Sequence, residues 1–240
     1  MNIQSIKKKR IGILGGMGPE STVIFYQALV KQCQVQYNAK YDKDYPEIFI
    51  YNLPIPDVVE GLKKPKETLN ILIRGVKKID SIGVDFVVMP CNTAHYFYSS
   101  MSKSISVPFI NIFSVVAEKI KLQELKKVGF LSTETTIRYK SFGDIFKKNG
   151  IKLIFPNQVD QNKLTKIILN ILAGKKSKTD KIQIKKIIKK MKQGGAEAIV
   201  LACTDLPILI KQRDVGIKIF DTVEILAEAT IKYAIGKYKN

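Results

Sequence analysis

GVDFVVMPCNT (83–93) and GAEAIVLACTD (195–205) are two versions of one pattern: a glycine, an acidic residue two positions on, an apolar run, then a cysteine followed by polar residues. A short apolar run bounded by Gly and polar residues reads as a strand buried on both faces, as parallel sheets require. The cysteine then falls just past the carboxyl end of that strand. Working outward, RIGILGG (10–16) pairs with KVGFLST (127–133), and PFINIFSVVAE (108–118) with KIFDTVEILAE (218–228). The three offsets are 117, 112 and 110 residues, so the chain reads as an internal duplication. Each half runs strand, Gly/Thr loop, helix, then strand, Cys loop, helix, then a closing strand and helix.

The periodicity predicts strands at 10–14, 47–51, 85–89, 107–112, 127–131, 151–155, 197–201 and 217–220. Helices are predicted at 20–36, 66–82, 93–103, 114–125, 136–149, 160–173, 180–194, 205–212 and 222–238. Alternating strands and helices imply an α/β protein. The expected fold is two similar parallel-sheet α/β domains related by a pseudo-twofold, with the active site in the cleft between them. The expected division is 1–113 plus 222–240 for the first domain and 114–221 for the second. The closing helices, beginning near Ser114 and Thr222, are expected to cross between halves.

Composition narrows the functional classes. At 240 residues and 45% hydrophobic, the chain can bury a sizeable core. No apolar run approaches the roughly 18 residues of a membrane span. The expectation is a soluble, cytoplasmic protein. The formal charge is +19, yet only four of 40 basic residues are Arg, and the lysines are spread along the chain. Arg is the residue suited to bidentate phosphate and base recognition. The charge is therefore read as a solvated Lys-rich surface, with no nucleic-acid partner expected. Three cysteines do not make a disulfide framework, and one histidine, His95, does not make a zinc site. No metal or cofactor is expected; the Gly15–Pro19 loop is neither G-x-G-x-x-G nor a Walker loop.

In open parallel sheets, ligands bind beyond the carboxyl ends of strands. Cys91 and Cys203 occupy matching positions there. Two thiols opposed across a cleft suit removal of a proton from one face of a carbon and return of a proton to the other. One starts as thiolate and the other as thiol. Reacting atoms about 3–3.5 Å apart would set the sulfurs on the order of 7 Å from each other. Asn92, Thr93 and Thr204 follow the cysteines where helices are predicted to begin, so they either cap those helices or help bind a carboxylate at their N-termini. The Gly15–Gly18 loop reads as an anion-binding lip or a tight turn. His95, four residues past Cys91, reads as a thiol tuner or as structural. Cys33 reads as packing inside a helix.

These residues carry a resemblance. GILGGMGPEST (12–22), MPCNTAH (89–95) and LACTDLP (201–207) resemble the signature segments of the aspartate/glutamate racemase family, in its aspartate-racemase branch. The resemblance implies an amino-acid racemase acting on aspartate and/or glutamate. It would need neither pyridoxal phosphate nor metal and would commonly form a homodimer. It implies Cys91 and Cys203 as alternating acid and base, Cys203 serving the L face and Cys91 the D face. Asn92, Thr93 and Thr204 would hold the α-carboxylate, with Thr133 and Thr136 contributing, and Met17 and Gly18 would belong to the N-terminal substrate loop. Asp205 also fits the aspartate-racemase branch. Val58 stands where that branch often has an Arg for the distal carboxylate, and Ala173 where it usually has a Lys, with Lys175 two residues on. The alternatives are a hydantoin-racemase or maleate-isomerase-like enzyme, or a degenerate racemase fold that binds an anion.

Overall fold

The computed structural model describes residues 7–140 and 142–238. In the first half, β1 (Ile11–Gly15) lies between β2 (Ile48–Asn52) and β3 (Phe86–Val88), all parallel. In the second half, β4 (Lys127–Leu131) lies between β5 (Lys152–Ile154) and β6 (Ala198–Leu201), again parallel, and β7 (Lys218–Asp221) extends the sheet beside β6. The order β2-β1-β3 matches β5-β4-β6, so the duplication in sequence is a duplication in topology. β1, β3 and β6 are buried along their whole length, which is why they read as unbroken apolar runs.

The two halves differ at their fourth strand. The predicted strand 107–112 is a single bridge, Val87 to Phe109, because Asn111 turns inward as a cap. Its side chain accepts from the backbone N–H groups of Phe113 and Ser114, starting α4 (Ile112–Lys121). In the second half, Asp221 ends β7 and caps α9 (Thr222–Ala234) in the same way.

One face of the first sheet is covered by α2 (Pro65–Ser81) and α3 (Tyr98–Ser102). The matching face of the second is covered by α7 (Gln158–Leu172) and α8 (Lys178–Gln193). Gly12 and Gly129 hold equivalent places here. A Cβ on Gly12 would collide with Ile79 of α2, and one on Gly129 with Ile199 and Met191. The helices approach because these strand positions have no side chain. On α8, Ile184, Ile187, Ile188 and Met191 face inward while the lysines between them are exposed. That arrangement is a solvated basic face. The other sheet faces share one core with α1 (Pro19–Tyr37), α4, α6 (Gly143–Lys148) and α9. α9 packs along α1, so the end of the chain returns to the beginning. Among the described residues, no helix is long and apolar enough to cross a membrane.

Three predicted helices are corrected. Residues 93–103 form a 3₁₀ segment, Thr93–Phe97, before α3. Residues 205–212 hold the short 3₁₀ turn Leu206–Ile208 and, at Gln212, the start of a second, Gln212–Asp214. Residues 136–149 break at Lys140, which takes φ 48° and separates α5 (Glu134–Tyr139) from α6. The apolar period runs through all three, but it does not report where the backbone turns.

Candidate active site

Cys91 and Cys203 line one cavity of about 160 Å³, each from the loop that follows the equivalent strand of its half. Both thiols are free and buried, at 4% and 6% exposure. Burial, with the Asp205 carboxylate beside them, pushes the Cys91 thiol up to about 12 and Cys203 well above its ordinary range. Cys91 Sγ accepts the Ala94 backbone N–H at 3.5 Å. That N–H, presented by a tight 3₁₀ turn, stands in for the full α-helix N-terminus expected from the sequence.

Side chains from the two halves meet around the cavity. Thr93 Oγ1 lies 3.0 Å from both Thr133 Oγ1 and Thr136 Oγ1, and the latter two are 2.9 Å apart. The three hydroxyls form a ring in which each can donate once and accept once. Thr93 and Thr133 line the cavity, and Thr136 stands behind them. Thr204 and Asp205 line it from the second half, Met17 and Gly18 from the first.

Asn92 reaches across to Thr222, its Nδ2 donating to the Thr222 hydroxyl at 3.0 Å. That hydroxyl donates to the Leu201 carbonyl at 2.9 Å, so toward Asn92 it can only accept. Asn92 Oδ1 is therefore left as a buried acceptor with no partner among the described residues.

The Gly loop is the tight turn. Gly16 has φ 96°, and a Cβ there would strike the Leu53 backbone. Gly16 N–H donates to Thr22 Oγ1 at 2.9 Å, and that hydroxyl donates to the Gly18 carbonyl at 3.1 Å. Gly18 is thereby seated against Leu172 and Asp205 of the other half. The remaining wall is Ile55, Pro56, Asp57, Val58, Val59 and Leu172. Asp57 is occupied in capping the Val59 and Glu60 N–H groups, and the Thr135 hydroxyl holds the Val59 carbonyl at 2.9 Å. Among the described residues no Lys or Arg lines the cavity: Val58 does, whereas Lys175 is exposed.

Of the two readings of His95, thiol tuner or structural, the geometry supports the structural one. Its Nδ1 pairs with the Cys91 carbonyl at 2.7 Å, and its Nε2 accepts the Ile112 N–H at 3.2 Å, which sets the neutral tautomer. Burial lowers it to about 4. It holds the Cys91 loop against the start of α4. Cys33 packs in the shared core, as expected. Sequence reasoning missed the roles of Ser21 and Thr222, since each meets its site residue from far away in the chain. Ser21 Oγ–H donates to Asp205 Oδ1 at 2.5 Å.

The chain matches the Asp/Glu/hydantoin racemase family over residues 14–230. It is 32% identical to the broad specificity amino-acid racemase RacX of Bacillus subtilis, over 92% of this chain and 96% of that protein. Among solved structures, an aspartate racemase homologue from Pyrococcus horikoshii is 31% identical with TM-score 0.79, covering 94% of this chain and 99% of the other. The aspartate racemase of Picrophilus torridus is 30% identical with TM-score 0.79, covering 97% and 96%.

Proposed function

The chain belongs to the Asp/Glu/hydantoin racemase family, and on that premise we propose that it racemises free α-amino acids with Cys91 and Cys203 as the two proton carriers. The observation that carries this reading is the convergence of both cysteines, from equivalent loops of the two halves, on one cavity. The substrate α-carbon sits between the sulfurs. One thiolate takes the α-proton, and the opposite thiol returns a proton to the other face. Reversing the protonation of the pair runs the reaction the other way.

The substrate supplies the positive charge that the wall lacks. Its α-ammonium donates to the orphaned Asn92 Oδ1 and stabilises a thiolate nearby. The α-carboxylate takes hydrogen bonds from Thr93, Thr133 and Thr204, with the Met17–Gly18 turn closing over it. The side chain faces Ile55, Pro56, Val58, Val59 and Leu172. A carboxylate there would meet Asp57 and no cation. This favours uncharged side chains over the aspartate or glutamate that the resemblance alone implies. Hydrogen bonds between halves ring the site, so the units 1–113 plus 222–240 and 114–221 separate to admit substrate. The enzyme is taken to be a cytoplasmic homodimer that needs neither pyridoxal phosphate nor metal.

Each thiol is tested separately. Cys91→Ser and Cys203→Ser should abolish net racemisation, measured by chiral chromatography over a panel of L- and D-amino acids. Proton NMR in D2O should still show α-proton exchange of one enantiomer in a single variant. Full racemisation by either variant overturns the reading.

A further inference from the structure

A groove of about 630 Å³ runs past β7, the edge strand of the second sheet. It shares no lining residue with the cavity of about 160 Å³ that holds the cysteines. Its floor is apolar: Leu201, Ile210, Phe220 and Ile225 are all buried. Five cations line it, brought together from four stretches of chain. They are Lys31 on α1, Lys119 on α4, Lys211 and Arg213 before β7, and Lys218 on β7. Two carboxylates, Asp221 and Glu224, line it as well. Both are engaged. Glu224 pairs with Lys31 at 3.5 Å, and Asp221 Oδ1 caps the Val223 and Glu224 N–H groups. Lys119 is held by Glu228 at 2.8 Å, and Asp214, beside Arg213 in the chain, is taken by Lys181. Lys211, Arg213 and Lys218 are left with no ion pair among the described residues. Lys218 meets the uncharged Gln123 side chain instead.

Lysines spread over a convex face are kept apart by water. Cations of one sign around a concave apolar wall focus their field on one volume. An edge strand beside such a volume invites an added strand, but here that edge is already filled. Gln212 Oε1 accepts the Ile219 N–H at 2.8 Å, and its Nε2 donates to the Ile217 carbonyl at 3.0 Å. These are the two bonds a neighbouring strand would make. β7 is four residues long, so what remains of its edge is too short for a ladder. The groove is therefore suited to a small molecule rather than to an extended peptide.

We propose that this groove is a second ligand site, separate from the cysteine cavity, for a small molecule with an apolar body and two or more negative charges, carried as a phosphate ester or as carboxylates. The charged groups meet Lys211, Arg213 and Lys218, with the Arg213 guanidinium able to hold two oxygens at once. The body lies on Ile210 and Phe220. The site does not depend on the thiol chemistry, and the outcome of the cysteine substitutions leaves it untouched.

The test is isothermal titration of the full chain in about 0.15 M KCl, where long-range attraction to a charged surface is screened. The probes are naphthyl phosphate, trimellitate and inorganic pyrophosphate. At least one of the two aromatic probes should bind with one molecule per chain. Tighter binding of the first assigns a phosphate ester, and tighter binding of the second assigns carboxylates. Pyrophosphate, which has charge but no apolar body, should bind at least about fivefold more weakly. Lys211→Gln combined with Arg213→Gln should weaken the aromatic probe about tenfold. Both side chains are exposed, so a parent-like Tm should accompany that loss. Lys185→Gln combined with Lys189→Gln removes the same charge from α8 and should stay within about twofold. Failure of both aromatic probes to bind overturns the proposal. So does pyrophosphate binding as tightly as they do, or equal weakening in the two double variants, since either would reduce the site to the field of the whole protein. Unchanged binding in the Lys211 and Arg213 variant also overturns it, because the probe would then sit elsewhere.

Discussion

Removing the Thr93 hydroxyl isolates the link between the halves. Thr93→Val keeps the shape of the side chain, so no cavity opens. It deletes two hydrogen bonds, to Thr133 and Thr136, each 3.0 Å long. The remaining pair keeps its 2.9 Å bond, but one of its two protons then has no acceptor in the ring. A buried hydrogen bond is worth about 0.5–1.5 kcal/mol net, so the loss is about 1–3 kcal/mol. Because the ring joins the halves over the cavity, that energy should be lost from the closed, substrate-bound form. The expected fall in kcat/KM is roughly 5- to 150-fold. The assay is circular dichroism of racemisation, with the thermal midpoint measured in parallel. If the same energy went into global stability instead, Tm would fall by about 2–4 °C per kcal/mol for a chain of this size. A variant with kcat/KM within twofold of the parent and a Tm lowered by that amount would refute a role in substrate binding.

Val58→Arg places a cation where the wall has none, and aspartate should gain about ten- to a hundredfold in kcat/KM relative to a neutral amino acid. No change in that ratio would mean the side chain points elsewhere. His95 is lowered to about 4 by burial, so it binds no proton in the fold between pH 6.5 and 4 while the unfolded chain does. Its contribution is present above pH 6.5 and falls by about 1.4 kcal/mol per unit down to pH 4. Asp221, raised by burial to about 6, acts in the opposite sense: its carboxyl is protonated first in the fold, so it adds stability as pH falls from 6 toward 4. The two effects nearly offset in the parent. Urea unfolding of His95→Gln should therefore show a deficit at pH 7 that narrows by about 3 kcal/mol at pH 4, whereas a pH-independent deficit would contradict the neutral, buried ring. Gly16→Ala should cost about 1–2 kcal/mol from its positive φ alone, plus the clash with Leu53, read as a lower Tm together with lost activity. A parent-like Tm would show that the turn can relax.

The duplicated strands were legible because buried parallel strands must be apolar on both faces, and that demand is written locally. The same is true of the cysteines, which sit at the carboxyl ends where a parallel sheet presents its loops. Helix continuity was less legible: Lys140 stops a helix whose apolar period continues, and Asn111 ends a strand by capping. His95 stayed open between two readings for a related reason, since a four-residue spacing aligns side chains only on an α-helix. In a 3₁₀ segment it turned the ring to the Cys91 carbonyl.

The sequence by itself determined the two-fold α/β plan and the strand-end cysteines, because each depends on residues within one element or on one repeat compared with the other, whereas Val58 stood out only through the family resemblance. Only the tertiary structure decided which polar groups complete the site. Asn92 with Thr222, Ser21 with Asp205 and the threonine ring are joined across 130, 184 and 40 residues respectively. A hydrogen bond constrains atoms about 3 Å apart and leaves no periodic trace in the chain. Packing one half against the other selects those partners, and with them, among the described residues, the buried acceptor, a wall without Lys or Arg and the carboxyl beside Cys203.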